Sequence, residues 1–84
     1  MILKVFSVFD SKIEAYMTPF FMTSKGQAIR SLCDTAQSPD SMFFKHPGDF
    51  TLFELGEYDD ASATFNLHNT PFSLGVLIEL LPVK

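Results

Sequence analysis

Apolar positions are densest between Phe50 and Tyr58 (FTLFELGEY), and they fall at both parities of an extended chain. Phe50, Leu52 and Tyr58 share one face of a strand; Thr51, Phe53 and Leu55 share the other. A strand that is apolar on both sides near its start belongs in the middle of a sheet. Pro47-Gly48, just ahead of it, suits the two central positions of a tight turn. Ile2 to Phe9 (ILKVFSVF) has the same two-sided character, with Ile2, Phe6 and Val8 on one face and Leu3, Val5 and Phe9 on the other. It is predicted to lie beside the central strand. Ile13 to Met17 is shorter and more polar, and Pro19 follows it, which fits a sheet edge. After a hairpin connection at Asp59–Ser62, Ala63 to His68 alternates cleanly. The pattern puts Ala63, Phe65 and Leu67 inward and Thr64, Asn66 and His68 outward. Asn69-Thr70-Pro71 is predicted to end that strand.

A different period runs from Ser24 to Gln37. Ala28, Ile29, Leu32, Cys33 and Ala36 form one stripe at helical spacing, with Lys25, Arg30, Asp34 and Gln37 facing away. Phe20-Phe21-Met22 leads into it. Ser24 followed three residues later by Gln27 is a capping-box pair, and Ser38-Pro39-Asp40 is a stop. Ser41 to Lys45 predicts one further helical turn, which would swing Phe43 or Phe44 under the sheet. Near the end, Leu74, Leu77, Ile78 and Leu81 have helical spacing, while Leu74, Val76, Ile78 and Leu80 have strand spacing. Thr70-Pro71 is a good helix entry and favours a short helix. The order of elements predicts an α+β fold in a single domain over residues 1–84. It has a small antiparallel sheet of about four strands, one main helix at 24–37 on one face, and a short C-terminal helix. The helix stripe, Phe6, Phe50, Leu52, Phe65 and Leu67 are the predicted core.

Composition changes this picture in one respect. A chain of 84 residues that is 46% hydrophobic, with ten Phe, has more aromatic bulk than one thin core needs. The surplus predicts a homodimer or larger homo-oligomer. The apolar tail 72–83 is the first candidate surface, through Phe72, Leu74, Leu77 and Leu81. That tail contains Ser73, Glu79 and Pro82 and falls short of a bilayer span, so no membrane contact is expected. Ile2–Phe9 is too short, and too interrupted by Lys4 and Ser7, to serve as a signal peptide. Cys33 is the only cysteine, which excludes an internal disulfide and suggests a reducing compartment.

The net charge is −4, unevenly spread. Residues 1–46 carry Lys4, Lys12, Lys25, Arg30 and Lys45 against Asp10, Glu14, Asp34 and Asp40. Residues 47–84 carry Lys84 against Asp49, Glu54, Glu57, Asp59, Asp60 and Glu79. An acidic chain is a poor general binder of nucleic acid, because phosphate neutralisation supplies most of that affinity. Any such contact has to use a local patch of the first half.

No constellation for catalysis stands out. Cys33 sits on the apolar stripe, where it reads as a small core hydrophobe rather than a nucleophile. His46 and Asp49 flank a turn, and His68 stands apart, so no metal site is expected. Glu54, Glu57, Asp59 and Asp60 read as a solvated acidic corner rather than a carboxylate pair. No cofactor and no enzymatic activity are expected. Phe43-Phe44-Lys45-His46 mixes aromatics with cations, as stacking platforms for single strands do, although core anchors beside a polar turn would look the same.

The combination KVFSVFDSK (4–12), TPFFM (18–22), KGQAIR (25–30), HPGDFTLFELGEYDD (46–60) and PFSLG (71–75) resembles the small non-structural proteins of gokushoviruses. These are tailless single-stranded-DNA bacteriophages of the Microviridae. The resemblance covers nearly the whole chain. It implies a non-enzymatic accessory protein in the host bacterial cytoplasm, assisting the synthesis of single-stranded viral DNA, with DNA binding as a role often attached to the family. It brings no binding residues with it. Charge and aromaticity nominate Lys12, Lys25, Arg30, Phe43, Phe44 and Lys45 for a contact with single-stranded DNA. The alternative is a dimeric interaction module that binds a viral or host replication protein without touching DNA.

Overall fold

The computed structural model describes residues 1–81. Two long antiparallel strands, β1 (Ile2–Asp10) and β4 (Phe50–Asp59), form the middle of the sheet. A hairpin carries β4 into β5 (Thr64–Val76) on one side. On the other side β2 (Ala15–Tyr16) and β3 (Phe20–Met22) both pair with the outer edge of β1, one after the other. The sheet therefore has five strands, all antiparallel, and β1 and β4 are central as their two-sided apolar pattern predicts.

Helix α1 (Lys25–Ala36) lies on one face of this sheet. Ser24 caps it, its hydroxyl accepting from the Gln27 amide at 3.3 Å. The Gln27 side-chain oxygen reaches back to accept from the Thr23 amide and hydroxyl, one residue earlier than a standard capping box requires. Ala28, Leu32, Cys33 and Ala36 are buried, with Ile29 packed beside them, so the predicted stripe is the packing stripe. The turn α2 (Met42–Lys45) is anchored by Phe43, whose ring meets Phe50 edge-on at 4.7 Å. Phe44 points to solvent. A short helix α3 (Leu77–Leu80) closes the chain's described part, with Leu77 fully buried against Phe6, Val8, Phe50 and Leu52.

The ladders have three irregularities; one leaves Leu74 as an extra residue in β5 between the pairs Leu52–Gly75 and Phe53–Ser73, and the other two set which residues share a face of the outer strands. β1 pairs Phe6 with Glu54 but Val5 with Gly56, so Leu55 is an extra residue in β4. On a regular strand Phe53 and Tyr58, five apart, would face opposite ways. The extra residue puts them on the same face, each opposite an odd-numbered residue of β1 (Ser7 and Leu3). Tyr58 is thus not on the Phe50–Leu52 side, as simple alternation predicts. The second of those two is larger. β5 pairs Phe72 with Glu54 but Leu67 with Gly56, so residues 68–71 bulge out opposite Leu55 alone. Asn69-Thr70-Pro71 does break the ladder, but the chain resumes the same strand to Val76 instead of entering a helix. The C-terminal helix starts at Leu77, not after Pro71. Ala63 lies in the hairpin turn at φ 56°, outside the strand.

The helical layer covers only the half of the sheet that holds Phe6, Val8, Phe50 and Leu52. Beyond these two bulges the strands run on as an arm that no described element covers. Phe65 and Leu67, expected in the core, are 53% and 58% exposed for that reason.

Candidate interaction surface

Among the described residues, no element covers the face of the sheet opposite α1. Cross-strand register assigns its residues. Leu3, Val5, Ser7 and Phe9 of β1 point to it, with Tyr16, Phe21, Phe53, Tyr58 and Phe65 opposite or diagonal to them. The rings group into two triads. In the first, Phe21, Tyr58 and Phe65 have centroids 4.8 to 6.1 Å apart. In the second, Phe9, Tyr16 and Phe53 have centroids 5.0 to 6.4 Å apart. Both ranges and the tilted or edge-on geometries are those of favourable aromatic packing. Val5 and Ser7 between the triads are almost fully screened, and the Ser7 hydroxyl donates to the Met17 carbonyl at 2.6 Å.

None of these face residues is charged. Alternation sends the charges of the same strands to the other side: Lys4, Glu57 and Asp59 are register partners of Met22, Lys4 and Ile2 there. Asp59 and Asp60 also lie at 3.9 and 2.8 Å from the Met1 amino group. That contact holds the amino group's pKa above its ordinary value, Asp60 contributing most. Sequence reasoning missed this face because Tyr58 has the wrong parity and Phe21 lies in a three-residue strand that reads as a lead into the helix. The run of three apolar residues after Pro19 was the available signal.

The predicted DNA-binding residues are not brought together. Lys12 pairs with Asp49 at 4.0 Å. Lys25 and Arg30 are exposed on α1, but five residues at 100° each place them roughly 140° apart around the helix. Asp34 follows Arg30 by one turn. Lys45 and Phe44 are exposed on α2, while Phe43 is spent on the core. Lys25, Arg30 and Lys45 thus lie on the helical layer, and Lys12 lies in the turn between β1 and β2. Of the predicted oligomer surface, Leu77 has no exposed area, and Leu74 and Leu81 pack against the protein's own core. That corrects the use of Leu77 as a surface residue: α3 folds back under the sheet. Residues 82 and 83 of the predicted tail lie outside the described residues. Phe72 is 57% exposed but stands on the helix side of the sheet.

Phe72 packs beside the one buried ionic group among the described residues. Glu54 is not part of a solvated corner: its carboxylate lies 2.7 Å from His68 Nε2 and 3.8 Å from Lys4 Nζ, and the His68 ring packs on Phe72 at 4.6 Å. His68 belongs to the bulged segment, so this contact ties the bulge to the sheet. A His68→Ala substitution leaves the carboxylate with Lys4 alone. It is expected to cost about 1.5–3 kcal/mol, as lost hydrogen bonds to charged groups do, and His68→Gln should recover part of it. Urea midpoints of the three proteins measure this directly. Cys33 donates to the Leu80 carbonyl at 3.4 Å, and burial, helped by Asp34, pushes its thiol pKa up. It is a packing residue that holds α3 to α1. An apolar groove of about 200 Å³ between α1 and the β2–β3 edge, lined by Val8, Met17, Phe20, Leu32 and Phe43, has no charged group in its walls.

Among the described residues no helix is long and apolar enough to cross a membrane, and no cluster of three metal-ligating side chains occurs. The family model described as Phage ORF5 protein matches residues 3–80. No curated protein and no solved structure matches the chain.

Proposed function

We propose that this chain, which belongs to the Phage ORF5 protein family, is a non-enzymatic accessory protein that assists single-stranded DNA synthesis by a gokushovirus in the host cytoplasm, and that it acts through protein contacts. The observation that carries this reading is the open sheet face: two packed aromatic triads with no charge among them. Aromatic, uncharged and exposed is the composition of an interface centre. A platform for single strands also stacks bases on aromatics, but it sets them in a positively charged groove. Here the net charge is −4, and the exposed cations Lys25, Arg30 and Lys45 stand on the helices, on the other side of the sheet. A second reading, weak contact of the helical layer with DNA, draws on the exposure of Lys25, Arg30, Phe44 and Lys45.

One experiment separates the two. Tagged protein is recovered from infected cells with and without nuclease, and purified protein is titrated with a labelled single strand at rising salt. On the first reading a viral or host replication protein co-purifies regardless of nuclease, and Phe65→Glu with Leu67→Glu abolishes it while Arg30→Ala with Lys45→Ala does not. Nuclease-sensitive recovery, together with a salt-dependent shift that Arg30→Ala and Lys45→Ala remove, would instead establish the DNA reading.

A further inference from the structure

We infer that the first occupant of the open face is a second copy of this chain, packed face to face about a two-fold axis through the arm that carries Phe21, Tyr58, Phe65 and Leu67. The inference rests on the reading that this face is a protein-contact surface, and it names the partner.

Shape is the first argument. An 84-residue monomer has a radius of gyration of about 11.8 Å by the usual scaling. This protein has 13.1 Å, with extents of 40 × 25 × 19 Å. Its accessible surface is 5504 Å², against about 5,000 Å² expected for 9.4 kDa. The arm accounts for this: β1, β4 and β5 project beyond the helical layer with one polar and one aromatic side. A sheet in this state is half of a two-layer structure. A second arm set about 10 Å away supplies the missing layer.

Charge is the second argument. At −4 per chain, two copies repel, and most surfaces of this molecule are poor self-partners. The open face is the exception. Its own residues are uncharged, and Glu57 and Asp59 project from the other side of the same strands. Two copies meeting there bring no carboxylate against a carboxylate. A basic partner would gain nothing on this face, and the acidic residues that could attract one point away.

Area is the third. Tyr16, Phe21, Phe65 and Leu67 are 48%, 40%, 53% and 58% exposed. At roughly 200 Å² for a fully exposed large side chain, these four offer about 400 Å² per copy before the half-buried Leu3, Phe9, Phe53 and Tyr58 are added. That approaches the ~800 Å² per partner of a standard interface. It fits a reversible dimer rather than an obligate one.

Analytical ultracentrifugation of the purified chain from 1 to 100 µM tests this. The expected mass at the upper concentrations is twice 9.4 kDa. Phe65→Glu with Leu67→Glu should weaken dimerisation about a hundredfold or more, since like charges then meet at the centre of the interface. Both side chains are exposed in the protomer, so circular dichroism should show an unchanged fold. Asn66→Lys, on the other side of the same strand, should leave the dimer intact. A monomer throughout this range, or a dimer indifferent to the Phe65 and Leu67 changes, overturns the inference. In the monomer case, recovery from infected cells decides what else falls. If the double variant still loses its replication partner, the face is a contact surface for that partner alone. If it loses nothing, both readings fail.

Discussion

Gly56→Ala should leave the protein unfolded or largely insoluble at 37 °C. Gly56 has φ 155°, in the region that side chains avoid. A Cβ there would lie 2.5 Å from the Asn66 carbonyl oxygen and 2.6 Å from Leu67 Cα. Both are backbone atoms of β5, the hydrogen-bonded neighbour, so relief requires β5 to move away from β4. The position is doubly constrained, because Gly56 also follows the extra residue Leu55 and pairs with Val5 on the other side. Strain at positive φ alone costs about 1–3 kcal/mol, and the clash adds to it. A domain of this size has only about 5 kcal/mol in total. Gly48→Ala is the control: nothing lies within 4 Å of its Cβ position, and a change within about 1 kcal/mol is expected. Urea unfolding followed by circular dichroism measures both. If Gly56→Ala unfolds within about 1 kcal/mol of the parent, the bulged register of β4 is wrong, and with it the assignment of Tyr58 to the open face.

Those bulges mark where the sequence stops being legible. The capped helix was readable because one stripe, one N-cap and one Pro stop agree on it. β1 and β4 were readable as central because both parities are apolar. The parity of a strand, however, survives only until the first extra residue. Leu55 is an ordinary strand residue with nothing to announce a bulge except the glycine after it. Past it, every inward and outward assignment is reversed, and Tyr58 follows. In β5 the difficulty was different. Phe65 and Leu67 do alternate, and they do share a face, but alternation cannot say whether anything covers that face. His68 and Glu54, fourteen residues apart, meet only because residues 68–71 bulge. No local spacing encodes that contact. The dispersal of Lys12, Lys25, Arg30 and Lys45 has a related cause: a charge excess in one half of a chain gives a count, whereas a patch requires convergence in space.

Phe6→Ala and Phe65→Ala turn this distinction into numbers. The two residues look alike in sequence, each a Phe on the predicted inward face of a strand. Phe6 has no exposed surface, stacks on Phe20 at 5.7 Å and sits in the cluster with Val8, Leu32, Leu52 and Leu77. Its truncation is expected to cost about 3–5 kcal/mol, because the lost transfer energy is joined by a cavity that α1 and the sheet cannot close. That is most of the stability of a domain this small, so Phe6→Ala should be at best partly folded at 25 °C. Phe65 is 53% exposed and its neighbours Tyr58 and Phe21 keep each other's company without it. At micromolar concentration, Phe65→Ala is expected to cost about 1 kcal/mol or less. Its cost should then grow with concentration, since the parent gains stability by dimerising and the variant does not. Urea midpoints taken at about 2 and 200 µM read this out: the parent's midpoint rises with concentration, and that of Phe65→Ala stays put. A parent midpoint that is independent of concentration would show that the exposed aromatics contribute nothing through self-association.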